Sequence, residues 1–497
     1  MKLETEVEKE KETKSCRHVA YVAKHGGDAF EVSRQTGLKL REILDFSLNA
    51  NPFGPPKAVF EAIKSVKDEI KCYPSRSYKE LRDSIASYLR SFDGYKFSEG
   101  GGKANTDGDN IVLGCGSTEL IHSFLARFVR GGTVVIPLPT FSEYEAAASA
   151  YGIKCLKVSP KGLAADLELV KDHIKSGDVD CAIICNPNNP TGELFCTGSM
   201  MELLDAAKDS GAYVMVDEAY LDLSTVGSCE SLLPLVEDYE RLLILRSLTK
   251  PFGFPGIRVG YAVCGHRLAG AFEASEMSWR VGAVEAAAVQ AALGAKGFLE
   301  DSRSKILSEK PRLTKKISGI QGLRVEKSDA NFVLVDISAT GFSPGNLKWR
   351  LLAYGVLVRE LSGMQGLDGE YIRVCVRGKR ENANLVRSLR NVITSAGKVG
   401  SPSAQEECGS KTRSCHFAGQ DCRLCFCPFY PCLDALTGGK FFNSVKGGKV
   451  WGCTDCLWIH NSESVTRVLG EFGNQRINVL KSSPGEILGV RKKVIGA

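Results

Sequence analysis

The chain has 497 residues, 43% of them hydrophobic and 25% charged, with a formal net charge of +6. That composition is ordinarily globular, and the length is enough for two or more domains. The charge is small and mostly cancelled locally, with no basic stripe interleaved with aromatics, so nucleic-acid binding is not expected. No run approaches the roughly eighteen apolar residues of a membrane span either.

Residues 1–20, opening MKLETEVEKEKETKSCRH, lack the apolar core of a signal peptide and read as a charged leader, which points to the cytoplasm. Between 76 and 300, β-branched runs alternate with amphipathic stretches. NIVLG (110–114) leads through a Gly turn into helix-like STELIHSFLARFV (117–129). TVVIP (133–137) leads into FSEYEAAASAYG (141–152), and CAIIC (181–185) into a polar loop. AYVMVD (212–217), RLLILR (241–246) and VGYAV (259–263) follow, the last two close enough together to predict one antiparallel strand. Strand–helix alternation with nearly unbroken apolar strands predicts an α/β fold, a mostly parallel sheet covered on both faces. NFVLVDI (331–337), GVLVREL (355–361) and YIRVCVR (371–377), with helix-like NLKWRLLAYG between them, predict a smaller α+β domain over 301–395. A small, polar linker (396–414) precedes a cysteine-rich module over 408–497.

In open α/β sheets, ligands collect beyond the carboxyl ends of the strands. Several suggestive pieces fall there. GCGSTEL (114–120) is a Gly-rich turn opening a helix, suited to a phosphate, although an N-capping Ser117 alone gives the same pattern. NPNNPTG (186–192) is a rigid loop offering the Asn189 amide, and by itself is also a plain turn. VDEAY (216–220) puts Asp217 at a strand end, where a carboxylate is commonly a cap or surface charge. RSLTKPFGFPGIRVG (246–260) holds Lys250, able to form an imine with an aldehyde, beside Ser247, Thr249 and Arg258, able to hold a phosphate. An aldehyde and a phosphate on one small molecule describe pyridoxal 5′-phosphate (PLP). Beside PLP, Asp217 would keep the pyridine nitrogen protonated, and Tyr220 would share the ring's O3′ with Asn189. Phe141 could stack on the ring or serve as a core aromatic.

NPNNPTG, VDEAY and SLTKPFGFPGIRVG, in that order and spacing, resemble the fold-type I PLP enzymes of the class II aminotransferase group over roughly residues 20–395. Within that group the chain is similar to the histidinol-phosphate aminotransferase branch, and more narrowly to the L-threonine-O-3-phosphate decarboxylases of cobalamin biosynthesis. HGGDAFEVSRQTG (25–37), LDFSLNANPFGPP (44–56) and YPSRSYKELRDSIASY (73–88) carry that narrower match. The resemblance implies an aspartate aminotransferase-like fold: an arm over 21–75 that joins the small domain, and a large PLP-binding domain over 76–300. It implies that Lys250 binds PLP as an imine, that Asp217 pairs with the pyridinium, and that Tyr220 and Asn189 contact O3′ while Phe141 stacks. Phosphate contacts fall to Gly116, Ser117, Ser247, Thr249 and Arg258, with Tyr73 reaching the cofactor of a partner subunit in a homodimer with shared active sites. Arg373 matches the substrate-carboxylate arginine and Arg359 the substrate-phosphate arginine, with His25, Gly26 and Asn49 at the same small phosphorylated amino acid. On sequence alone both arginines read as strand-edge surface charge. The expected reaction is decarboxylation of L-threonine O-3-phosphate; histidinol-phosphate transamination is the alternative, and a PLP-fold regulator that binds a partner through its tail is a third class.

Ten cysteines are scattered over the first 400 residues, several in apolar runs that suit buried thiols, and eight cluster near the end. Cys408, Cys415, His416, Cys422, Cys425, Cys427 and Cys432, then Cys453, Cys456 and His460, include two CxxC pairs about thirty residues apart, a metal-binding spacing. Structural zinc and an iron–sulfur cluster both suit these ligands. A threonine kinase activity linked to the tail would supply the substrate phosphate, but no GxxxxGK[ST] loop is present.

Overall fold

The computed structural model describes residues 26–91, 106–225, 231–274, 277–396, 427, 429–433, 440–443, 449–452 and 458–495. A short entering strand, β1 (Leu44–Asp45), precedes β2 (Ile111–Gly114), β3 (Thr133–Pro137), β4 (Lys154–Val158), β5 (Cys181–Cys185), β6 (Tyr213–Asp217), β7 (Leu242–Ser247) and β8 (Gly260–Cys264). Strands β2 to β8 form one sheet in the order β2-β8-β7-β6-β5-β3-β4. Neighbours are parallel except at β8, which runs against both β2 and β7. The anticipated antiparallel strand is therefore β8.

Side chains alternate across a strand, so a sheet buried on both faces must be apolar at every position. Here Ile111, Leu113, Ile184, Val214, Val216 and Ile244 enter one buried cluster. Their chain neighbours Val112, Ile183, Cys185, Met215, Leu243 and Leu245 enter the other. Cys181 and Cys185 are buried within these layers. Strand β4 has no counterpart among the predicted elements. It is an edge strand, and its sequence KCLKV exposes Lys154 and Lys157, which dilutes the apolar signal. Edge lysines also discourage pairing with other chains.

The second sheet, in the order β12-β13-β10-β9, comprises β9 (Arg324–Val325), β10 (Phe332–Asp336), β12 (Arg359–Glu360) and β13 (Tyr371–Cys375), while β11 (Val356–Leu357) pairs in parallel with β1. The single strand expected over 355–361 is thus two. The chain changes partner around Val358, from β1 on one side to β13 on the other, and this corner carries Arg359. Pairing of β1 with β11 joins the N-terminal arm to this part of the molecule.

In the C-terminal module, β14 (Lys440–Asn443) and β15 (Lys449–Gly452) pair antiparallel, and helices Ser462–Asn474 and Pro484–Ile495 close over Phe429, Ile459, Val465, Val468 and Val490. The module docks on helix Pro344–Leu351 rather than standing apart. Asn346 Nδ2 donates to the carbonyls of Val479 and Ser482, both at 3.1 Å, and Arg350 Nη1 donates to that of Tyr430 at 3.1 Å. Leu433 and Phe441 pack against a cluster of Val32, Leu38, Ile43, Leu352 and Leu357. Among the described residues, no helix is long and apolar enough to cross a membrane.

Candidate active site

Every strand of the large sheet except β8 ends on the same rim. Because β8 runs the other way, its start lies there too, which brings Arg258, two residues before it, to the ends of β2 and β7. After β2 the chain turns through Gly116, whose φ of 81° favours glycine, into helix Ser117–Phe128. A Cβ on Gly116 would lie 2.5 Å from Arg258 Nη2, and one on Gly260 would lie 2.3 Å from the Ser117 nitrogen. Two glycines thus let the loop, the helix start and the guanidinium converge. The Ser247 and Thr249 hydroxyls, 2.8 Å apart, complete the corner. Arg258 donates to the Pro255 carbonyl at 3.1 Å and makes no ion pair among the described residues. Helix-terminal N–H groups, two hydroxyls and a cation without a carboxylate make a corner suited to an anion.

Lys250 follows directly, on the turn after β7. Its carbonyl accepts from the Asn51 N–H at 2.8 Å, and Asn51 Nδ2 donates to the Pro251 carbonyl at 2.8 Å, tying this turn to the N-terminal arm. Its Nζ stands 5.9 Å from the centre of the Tyr220 ring. Desolvation, then the neighbouring charges of Arg373 and Arg258, bring the amine down to about 8. A lysine so placed is a neutral nucleophile far more often than a surface lysine at neutral pH.

Asp217 ends β6. Its Oδ1 accepts from the Ala219 N–H at 3.0 Å and its Oδ2 from the Tyr144 hydroxyl at 2.8 Å. Burial pushes its carboxyl up, and these two donors, with Lys250 and Arg246, work against that rise. Beside it, Asn189 Nδ2 donates to the Tyr220 hydroxyl at 3.5 Å, and Arg373 Nη1 donates to Asn189 Oδ1. Arg373 Nη2 donates to the Ser47 carbonyl at 2.9 Å, while its Nε, though buried, has no partner among the described residues. Burial draws this guanidinium down to about 10, and Arg359 adds to that effect. Asn49 is only 2% exposed, and neither its Oδ1 nor its Nδ2 has a hydrogen-bond partner among the described residues. Buried polar atoms without partners are uncommon in folded chains, and here they face a cavity.

That cavity, about 660 Å³, gathers most of the residues anticipated from sequence. Ser117, Phe141, Asn189, Asp217, Tyr220, Ser247, Thr249, Lys250 and Arg258 line it, as do Gly26, Asn49, Arg359 and Arg373. Gly116 lies just behind, against Arg258. Phe141 precedes its helix, Glu143–Ala150, rather than opening it. Tyr73 is elsewhere: 79% exposed and stacked on Trp279 with centroids 4.4 Å apart. His25 lies outside the described residues, as do Cys408, Cys415, His416, Cys422, Cys425, Cys453, Cys456 and the side chain of His460. Cys427 and Cys432 are described, both half-buried at the edge of the module's core. Among the described residues, no group of three His, Cys, Asp or Glu is placed to hold a metal.

Sequence reasoning missed Tyr144 and Ser47. Tyr144 stands three residues after Phe141, a spacing that puts both near one face of a helical turn. Ser47 Oγ accepts from the Gly27 N–H at 3.0 Å and donates to Asp45 Oδ1 at 2.6 Å, joining the arm to the strand that precedes it. The donor set fits PLP: an unpaired cation and hydroxyls for its phosphate, a low-pKa amine for its aldehyde, and a buried carboxylate for its ring nitrogen.

The profile of the aminotransferase class I and II family matches residues 41–389, and that of a cysteine-rich small domain matches 404–483. Over 353 residues the chain is 31% identical to histidinol-phosphate aminotransferase 2 of Archaeoglobus fulgidus, covering 71% of this chain and 94% of that protein. It is 29% identical over 374 residues to threonine-phosphate decarboxylase of Salmonella typhimurium, covering 74% and 96%. The crystal structure of histidinol-phosphate aminotransferase from Clostridium acetobutylicum is similar with a TM-score of 0.63, covering 71% of this chain and all of that one at 28% identity.

Proposed function

The chain belongs to the aminotransferase class I and II family of PLP-dependent enzymes, and we propose that within it the protein decarboxylates L-threonine O-3-phosphate to (R)-1-aminopropan-2-yl phosphate and CO2, a step of cobalamin biosynthesis. The observation that carries this reading is the pairing of Arg359 on β12 directly opposite Arg373 on β13, with both lining the Lys250 cavity. Cross-strand partners have Cα atoms about 5 Å apart, so two guanidiniums share one end of the site. A compact substrate with two anions close together suits them: a carboxylate on Cα and a phosphate on the adjacent carbon's oxygen. Histidinol phosphate carries one anion and an imidazole instead.

When bound, PLP supplies an aldehyde and an electron-withdrawing ring. Arg373 holds the substrate carboxylate from a socket made by Ser47 and Asn189, and Arg359, with Gly26 and His25, holds the phosphate. Both are jobs for arginine's bidentate fork. By fixing both anions, these anchors would decide which bond to Cα is presented for cleavage. Loss of CO2 leaves its electron pair at Cα, and Lys250 is the group positioned to return a proton there. Asp217 would hold the protonated nitrogen of the bound ring, and Tyr220 and Asn189 would hold its phenolic oxygen.

Incubation with PLP and L-threonine O-3-phosphate is expected to release CO2 and 1-aminopropan-2-yl phosphate. Loss of histidinol phosphate that requires a 2-oxo acid, without CO2 release from phosphothreonine, would refute the reading in favour of the transaminase. A homodimer in which Tyr73 reaches the partner's cofactor belongs to the same proposal, supported by exposed Tyr73, Ile70, Met277 and Trp279 on one chain. The tail is proposed to bind zinc or an iron–sulfur cluster; metal analysis and the visible spectrum of anaerobically purified protein distinguish them. The tail-linked kinase idea predicts ADP and phosphothreonine from ATP and L-threonine, and fails without them.

A further inference from the structure

Asp217 receives a hydrogen bond from a residue to which no role has been given. The Tyr144 hydroxyl, in the helix that follows β3, lies 2.8 Å from Asp217 Oδ2 across 73 residues of chain, and the tyrosine is fully buried. Tyr144 does not line the cavity; it stands behind the carboxylate that does. Its surroundings hold it there. The Phe141 ring meets it edge-on at 5.5 Å. The segment leading into its helix is anchored where Thr140 Oγ1 donates to Asn188 Oδ1 at 3.0 Å and Asn188 Nδ2 donates to the Pro139 carbonyl at 2.8 Å. Cys185 is beside it, with its thiol donating to the Pro187 carbonyl at 3.3 Å; an ionised Asp217 can only accept, so in their 2.8 Å contact the tyrosine is the donor.

We propose that Tyr144 is a positioning residue: it holds Asp217 as an anion aimed into the cavity and thereby sets how fully the nitrogen of a bound pyridine ring is protonated. The two carboxylate oxygens then have one protein donor each, the Ala219 N–H and the Tyr144 hydroxyl. Each keeps acceptor capacity for a third donor from the cavity. The other charged or titratable groups facing Asp217 are Lys250 and Arg246, which favour its anion, and Cys185 and Tyr220, which stay neutral because burial raises them. The Tyr144 hydroxyl and the Ala219 N–H are both neutral donors that stabilise the carboxylate without neutralising its charge. The inference rests on PLP binding and not on which bond of the substrate breaks.

The test uses full-length holoenzyme without substrate. Tyr144→Phe keeps the ring and its packing and removes only the hydroxyl. A weaker Asp217 anion protonates the pyridine less fully, which makes the imine nitrogen on Lys250 more basic. The pH midpoint of the visible absorbance change should therefore rise by about half a unit or more. Retention of PLP on dialysis should fall. Asp217→Asn removes the group through which Tyr144 acts, so adding Tyr144→Phe to it should produce no further shift. A midpoint unchanged by Tyr144→Phe alone, or an equal shift in both backgrounds, overturns the proposal. Because no substrate is present, failure of the decarboxylase reading leaves this outcome unaffected.

Discussion

The reactivity of Lys250 can be examined before any substrate is chosen, by titrating capture of PLP by the cofactor-free protein. Desolvation penalises the ammonium form, Arg373 and Arg258 repel it, and Asp217 only partly compensates, so the amine falls from 10.5 to about 8. The sign follows directly: a depressed lysine loses its proton earlier as pH rises. At pH 7 roughly a tenth of Lys250 is neutral, against a few parts in ten thousand at the ordinary value, a gain of roughly 300-fold in nucleophile. The capture rate, followed by stopped-flow absorbance, should climb with pH and level off above about 8. Normalising to the rate of free Nα-acetyl-lysine per neutral amine cancels the titrations of PLP itself, and borohydride reduction with peptide mapping assigns the product to Lys250. Arg373→Met should move the midpoint upward, because it removes a neighbouring cation. A rate that keeps rising tenfold per pH unit beyond pH 10, or a midpoint that falls in Arg373→Met, would refute the electrostatic account.

Three other perturbations probe the scaffold. Gly116→Ala forces a side chain onto a φ of 81° and against Arg258, so PLP affinity measured by equilibrium dialysis should weaken about tenfold or more, with the fold retained; undiminished affinity contradicts the cradle. Glu218→Ala removes one of the two buried carboxylates paired with Arg246, leaving Asp222 at 2.8 Å, and takes the acceptor from the Ser231 hydroxyl and the Leu232 N–H, so it should cost about 1–3 kcal/mol in urea unfolding. Less than about 1 kcal/mol would mean that the cluster relaxes. Asn346→Ala removes two hydrogen bonds to the C-terminal module and one from Arg350 Nε, and should expose that module to proteolysis at a cost of about 1–3 kcal/mol; wild-type proteolysis would show that the docking is carried by other contacts.

Different physical causes made different parts of this molecule legible in its sequence. Strands buried on both faces leave an unbroken apolar imprint, and Ile111–Gly114, Cys181–Cys185 and Leu242–Ser247 are legible for that reason. Strand β4 is half-exposed and carries Lys154 and Lys157 in five residues, so the same rule passes over it. The cofactor end of the site follows the sheet, since Asp217 and Ser247 close their strands and Ser117 and Lys250 lie within a few residues of one. Arg359 and Arg373 had no such signal. Their approach depends on a strand that changes partner at Val358, a tertiary event, and only family resemblance singled them out. Tyr144 was invisible because its partner is 73 residues away, and a single long-range hydrogen bond imposes no periodicity.

The two ends of the cavity also differ in what holds them. The cofactor end rests on the closed hydrogen-bond ladders of β2, β5, β6 and β7, in which each end residue is fixed by its neighbours. The substrate end hangs on a chain of single contacts: Gly27 to Ser47, Ser47 to Asp45, the Ser47 carbonyl to Arg373, and Arg373 to Asn189. Arg359 sits at the corner where its strand leaves β1 for β13, with Gly26 close against its side chain. A displacement of the arm therefore reaches Arg373 and Arg359 through Ser47 and Gly26, and the Lys250 turn through the main-chain and side-chain bonds of Asn51. Under the proposed function, the orientation these contacts would give a substrate is what would decide which bond to Cα breaks. Relatives at similar identity that bear both transaminase and decarboxylase names are what such a division would produce.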